Sequence, residues 1–294
     1  MSVRVKTILV FLWGFYLFSA VDGAAGYPQR VISMSPNFTE IVYDIGAQNQ
    51  LVGVTDFCKF PPEARKKTKV GGLFNPDFET IVSLKPDLVL LVPFYGEAIQ
   101  SIKKLGIPVL VHQDSTIQDV LDTYDVLGKA LGHAVEAQAA KEKLEAQIDA
   151  VRQKAEGRKK VSILFVVGHN VGQIARVYAA GENSFVGEII ALSGGDNILK
   201  GTRVAFPLVS EEQLIKRDPE VIVDCMPSDE ATRDTIQKAR EAWAKFSSLR
   251  AVREKRLYFL NQDAFTIPGP TMVGLAEYLS KIFAKTWKGP RSGS

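Results

Sequence analysis

Asn75-Pro-Asp-Phe-Glu79-Thr-Ile-Val-Ser-Leu-Lys-Pro86-Asp-Leu-Val-Leu has a counterpart in the second half of the chain, Val209-Ser-Glu-Glu212-Gln-Leu-Ile-Lys-Arg-Asp-Pro219-Glu-Val-Ile-Val. In each stretch a cap residue opens a short helix and a glutamate sits in its first turn. A proline seven residues after that glutamate ends the helix, and an acidic residue then leads into an apolar strand. Two more matches keep the same order. Glu40-Ile-Val-Tyr-Asp-Ile-Gly46-Ala-Gln-Asn49-Gln-Leu51-Val-Gly53 aligns with Glu188-Ile-Ile-Ala-Leu-Ser-Gly194-Gly-Asp-Asn197-Ile-Leu199-Lys-Gly201, and Val111-His-Gln113-Asp114 aligns with Leu260-Asn-Gln262-Asp263. The chain therefore reads as two similar lobes built on one plan, with Glu79 and Glu212 in related positions.

The surrounding pattern gives each lobe its class. In the first, strand 30–34 runs into a helix capped by Ser35-Pro36 or by Asn37, with Glu40 placed as in a capping box. Gly46 ends that helix, 51–54 is a short strand, and Asn75-Pro76 caps the next helix. The wholly apolar strand 88–92 is what a parallel sheet covered on both faces requires. Helix 97–105 and strand 107–111 complete a βαβ series. The second lobe repeats it with strand 161–167, helices 184–192 and 211–216, strand 221–224, helix 229–246 and strand 257–260. A final helix, 272–287, packs back on the body.

Between the lobes, 117–131 and 135–155 read as helices broken at Gly132-His133. The longer one carries an apolar stripe of Leu144, Ile148 and Val151 and spans ~30 Å. It is a stiff connector rather than a flexible linker. The expected architecture is α/β, with two similar lobes that each hold a mainly parallel sheet flanked by helices and are joined by one long rigid helix. The expected division is a signal peptide at 1–25, an N-terminal lobe at 26–125, a connecting helix at 126–157 and a C-terminal lobe at 158–294.

Composition narrows the function. A chain of 294 residues is long enough for two domains, and its net charge of +3 argues against nucleic acid as a partner. Arg4 and Lys6 precede an apolar run, 8–18, followed by small residues, which is the order of a secretory signal. Export to the periplasm, or secretion, follows. Cys58 and Cys225 fall in different halves and read as two free thiols, since a bridge between mobile lobes would freeze them.

Loops after parallel strands open into the crevice where ligands bind. Phe57, Phe60, Phe74, Phe94 and Tyr95 stand there in the first lobe, and Tyr178, Phe206, Asp263 and Phe265 in the second. Rings gathered at strand ends suit a large, partly apolar ligand, although any one of them could equally be a core plug. Glu79 and Glu212 complement their helix dipoles. Their twin placement also suits docking to a partner made of two like subunits. A hydrolase using them as paired carboxylates is disfavoured by their position on separate lobes. A metal site from His112, His169 and Asp263 lacks ligand spacing, and His133 lies at a helix break. No nucleophile elbow or phosphate loop is present, so no enzyme and no cofactor are expected.

The stretches Arg30-Val-Ile-Ser-Met-Ser-Pro-Asn-Phe-Thr-Glu40, Gly53-Val-Thr-Asp-Phe57 with Pro61-Pro62, and 79–89 carry a family resemblance. So do Gly194-Gly-Asp-Asn197, Arg203-Val-Ala-Phe-Pro207 and Val209-Ser-Glu-Glu-Gln213. The chain resembles the helical-backbone periplasmic binding proteins of ABC importers for cobalamin, ferric siderophores and haem, and within them most closely the cobalamin-binding branch. The resemblance implies a monomeric receptor that holds a corrinoid between its lobes. Phe57, Tyr178, Phe206 and Asp263 would line the cleft, with Leu73 or Phe74 and one of residues 92–95. Glu79 and Glu212 would dock to a membrane permease dimer. Phe206 and Leu73 stand where the cobalamin binders carry other pocket residues, and Ile267 stands where a basic one is expected. Arg176, Tyr178 and Arg203 keep a ferric-siderophore or haem ligand open as the alternative, with a metal ion a more distant one.

Overall fold

The computed structural model describes residues 26–72, 74–170, 173–226, 231–260, 265 and 267–287. The leader at 1–25 lies outside them, as do Leu73 and Asp263. Two sheets form. The first is wholly parallel, in the order β3 (Thr68–Lys69), β2 (Leu51–Val54), β1 (Val31–Ser33), β4 (Leu88–Leu91) and β5 (Val109–Val111). Helices α1 (Pro36–Asp44), α2 (Phe78–Ser83) and α3 (Gly96–Lys104) connect its strands. Two helices follow, α4 (Ile117–Leu131) and the 22-residue α5 (Ala134–Ala155).

The second sheet is built on β6 (Val161–Asn170), flanked on one side by β10 (Val221–Cys225) and then β11 (Leu257–Leu260). The other side of β6 is shared. Its start pairs in parallel with β8 (Gly195–Asn197), and its far end pairs antiparallel with β7 (Gln173–Ala179), which pairs with β9 (Leu208–Ser210). Helices α6 (Phe185–Leu192), α7 (Glu211–Arg217), α8 (Arg233–Ala244), α9 (Arg250–Arg253) and α10 (Met272–Thr286) complete the lobe.

The internal repeat is real at the level of pairing. β1 lies between β2 and β4, with β5 beyond; β6 lies between β8 and β10, with β11 beyond. The acidic residue before each apolar strand has a defined task. Asp87 accepts hydrogen bonds from the backbone N–H groups of Gln29 (2.7 Å) and Arg30 (2.9 Å), and Glu220 from that of Ser162 (3.1 Å). Each carboxylate thus satisfies donors where the neighbouring strand begins. The residue before each proline, Lys85 (φ 46°) or Asp218 (φ 36°), adopts the left-handed conformation that closes a helix.

The sequence reading differs from the structure where the lobes diverge. The hairpin partner β7 and the short strands β3, β8 and β9 are additions to it. In β7, buried Val177 and Ala179 alternate with exposed Arg176 and Tyr178, which is the period of a half-buried strand. Sequence alignment sets Leu199 against Leu51, but β8 forms four residues earlier, at Gly195. Helix α8 starts at Arg233, capped by Thr232. Asp77, not Asn75-Pro76, caps α2: its side chain accepts from the Thr80 N–H at 2.9 Å. Asn37 and Glu40 form no capping box, because Ser35 is the N-cap of α1 and Glu40 reaches elsewhere.

One apolar core joins the first sheet (Ile32, Leu90), α4 (Tyr124, Leu127), α5 (Leu144, Ile148, Val151), α10 (Leu275, Leu279) and the inner face of the second sheet (Ile163, Phe165). A smaller cluster around Trp243 fills the outer face of that sheet. Helices α4 and α5 touch closely: a Cβ on Gly128 would lie 2.4 Å from that of Ala137. Both cysteines are buried and no disulfide joins them, and Cys58 is held by hydrogen bonds with Thr39 and Thr55.

Two glutamates matched by the repeat tie the halves together. Glu40 of α1 accepts from the Thr271 hydroxyl (2.9 Å) at the N-cap of α10. Glu188 of α6 accepts from the Ile117 N–H (2.7 Å) in the first turn of α4. Each carboxylate meets the positive end of a helix dipole across the molecule.

Candidate functional site

The sheet order reverses between β1 and β4, which places a crevice outside their carboxyl ends. A cavity of about 750 Å³ opens there. Each loop that leaves a parallel strand contributes to it: Ser35 and Pro36 after β1, Phe57 after β2, residues 92–95 after β4, and Gln113, Asp114 and Ser115 after β5. Phe74 adds a ring from the loop before α2.

Four of the aromatic residues picked out in the sequence therefore meet. Phe74 and Phe94 are the most exposed, at 87% and 72%, and stand edge to face with centroids 6.4 Å apart. The Phe57 ring leans on Gly72, where an added Cβ would lie 3.0 Å from it. Tyr95 is different. Its ring lines the cavity, but the side chain is buried and its hydroxyl donates to the Met34 carbonyl at 2.5 Å. That hydroxyl holds the β4 loop against β1 rather than facing a ligand. Burial raises the Tyr95 pKa, and the charges of Cys58 and Asp114 add to the rise.

Asp114 is the carboxyl group of this lining. Burial pushes its pKa up to about 6, with help from the nearby Asp119 charge, against the pull of a backbone hydrogen bond. The residues at strand ends point to its repeat partner Asp263 for the cleft, whereas Asp114 enters the lining only with the structure. The alignment of Val111-His-Gln113-Asp114 with Leu260-Asn-Gln262-Asp263 was the signal that carried it.

In the second lobe, Tyr178 lies on β7 and Phe206 in the loop before β9, both exposed on the hairpin side of the sheet. Exposed Arg176 and Arg203 lie on the same segments. Phe265 is half-buried and packs on Gly274 of α10. His169 ends β6 as expected but turns away from metal chemistry. Its Nε2 lies 2.9 Å from Asp224, and its Nδ1 lies 3.0 Å from the Asn170 carbonyl oxygen. Both neighbours can accept a hydrogen bond, an arrangement that favours the protonated ring over the neutral one. Burial alone would lower the His169 pKa; the Asp224 hydrogen bond and charge, with the Asn170 carbonyl, outweigh it and leave it raised.

Asp224 also accepts from the Trp243 indole at 2.8 Å, and all three side chains are buried. This network is a structural core of the second sheet. An aspartate inside the apolar run 221–225 was the sequence sign of it. His112 is half-buried, and its Nε2 has no hydrogen-bond partner among the described residues. No three metal-ligating side chains come together among the described residues. Glu79 and Glu212 are both exposed in the first turns of α2 and α7, with no ion pair among the described residues.

Comparison with known proteins agrees with this geometry. Residues 31–264 match the model of a family described as periplasmic binding protein. An uncharacterised ABC transporter substrate-binding lipoprotein of Bacillus subtilis is 27% identical over 269 residues, covering 89% of this chain and 82% of that protein. A vitamin B12-binding protein of Vibrio parahaemolyticus is 28% identical over 256 residues, covering 86% of this chain and 88% of the other. The solved structure of a periplasmic haem-binding protein from Roseiflexus sp. RS-1 superposes with a TM-score of 0.75 at 24% identity, covering 88% of this chain and 98% of that one.

Proposed function

Because the chain belongs to the periplasmic binding protein family, we propose that it is the extracytoplasmic receptor of an ABC importer and that its cargo is a corrinoid held between the two lobes. The observation that carries the ligand choice is the cavity wall: four aromatic residues and one carboxyl group, with no basic side chain among its described lining. Haem and ferric siderophores bring carboxylate, catecholate or hydroxamate groups, which call for arginine or lysine. A corrin instead presents a broad apolar face and a rim of amides. Rings stack on the face, and Asp114, Gln113 and the two serines suit the rim. All of the described lining comes from the first lobe; Tyr178 and Phe206 are proposed for a facing wall, where the neighbouring Arg176 and Arg203 are the residues that would favour the haem or siderophore alternative.

No helix among the described residues is long and apolar enough to cross a membrane. Glu79 and Glu212 are proposed to dock to basic side chains on two like permease subunits. Calorimetric titration of purified protein with cyanocobalamin, cobinamide, a ferric hydroxamate siderophore and haem tests the cargo. Saturable binding of both corrinoids at micromolar concentration is expected. Binding of haem or siderophore with no corrinoid binding would reassign it. Glu79→Ala combined with Glu212→Ala should abolish uptake and leave ligand affinity unchanged; a collapse of affinity would move these residues into the pocket.

A further inference from the structure

Helices α2 and α7 match at more than their glutamates. Ile81 and Leu214, two residues after Glu79 and Glu212, are both fully buried and anchor their helices. One residue further on, Val82 and Ile215 face outward, and each is 47% exposed. Residues three apart share a helix face, so each aliphatic side chain stands one turn from its glutamate on the same face. The tight left-handed turn at Lys85 or Asp218 then fixes the end of each helix.

The other surface positions do not match. Thr80 faces Gln213 in the alignment, Ser83 faces Lys216, and α7 carries Lys216 and Arg217 in its last turn where α2 has no basic residue. What the two surfaces have in common is an acid and an exposed branched aliphatic residue. A single exposed aliphatic residue needs no explanation. The same one beside the same acid on both lobes does.

We propose that Val82 and Ile215 are docking residues, each entering an apolar notch beside the basic group that receives Glu79 or Glu212. The partner is an integral membrane protein presenting this notch-and-cation pair twice, once on each of two like subunits. Charge complementarity chooses the partner's sign, and the repeat chooses its symmetry. The acid steers and orients; the aliphatic group supplies the desolvated contact that slows release. This inference rests on the importer-receptor reading and adds the apolar half of its contact.

The test is photo-crosslinking in intact cells, with the full chain carrying a photoreactive side chain in turn at positions 79, 82, 212, 215 and, as an exposed apolar control, 135. Positions 82 and 215 are expected to give adducts with one and the same integral membrane subunit of an ABC importer, identified by mass spectrometry. That subunit should match the one captured from 79 and 212, and position 135 should give none. Val82→Ser with Ile215→Ser should lower the adduct yield from 79 and 212 by roughly tenfold, as expected for losing two half-buried aliphatic contacts. Adducts from 79 and 212 but none from 82 and 215 would overturn the proposal and leave the acidic docking intact. No adducts from any of the four would overturn both.

Discussion

Asp114 is the side chain through which the cleft is expected to respond to pH. Its pKa of about 6 puts the change of charge close to neutrality, and the carboxylate is the better acceptor for amide donors on a corrin rim. For the proposed corrinoid cargo, affinity should therefore rise as pH climbs through about 6, and Asp114→Asn should flatten the profile. Calorimetric titration with cyanocobalamin from pH 5 to pH 8 measures both; a wild-type profile as flat as the variant's would remove Asp114 from recognition. The rings beside it tell a different story about single residues. Phe57, Phe74 and Phe94 were legible in the sequence because they follow strand ends. Phe265 follows one too, yet packs on Gly274. Local pattern places a ring on a loop; only the tertiary structure decides what it packs against there.

Among elements, the braces between α1 and α10 and between α6 and α4 have the clearest energetic consequence. Gly269 lets the chain approach α1 closely, since a Cβ there would lie 2.9 Å from the Glu40 carboxylate. The carboxyl group is buried, and its Oε1 has no hydrogen-bond partner among the described residues. Burial therefore raises the Glu40 pKa from 4.5 to about 7; the Thr271 hydrogen bonds oppose this and the Asp44 charge adds to it. A carboxyl group whose folded pKa lies above its unfolded value holds its proton more tightly in the folded chain. The fold is accordingly most favoured below about pH 4.5 on this account and loses on the order of 3 kcal/mol as pH rises to about 7. Glu40→Gln removes that loss. Its melting temperature should exceed the wild type's by several degrees at pH 8, with the gap closing near pH 4.5. An equal gap at both pH values would mean that charge is not the cause.

For the whole molecule, three features oppose a wide clam-like motion. The core is continuous from one sheet to the other, α5 packs against α4, α6 and α10, and the two glutamates brace opposite sides. Closure on ligand should be a small hinge movement about a largely preformed cleft. Small-angle X-ray scattering of free and cyanocobalamin-saturated protein should give radii of gyration within ~1 Å of each other. A contraction well beyond that would show that the braces release.

The sequence by itself determined the two-lobed α/β plan, the twin acidic helices and the strand-end rings. These follow from short-range rules of periodicity, capping and proline placement that act within a few residues. Only the tertiary structure decided that Glu40 leaves its own helix to meet Thr271, that His169 spends itself on Asp224, and that Tyr95 is tied to Met34. Those partners are brought together by packing across long sequence separations, and a buried polar group takes whichever partner the packing provides.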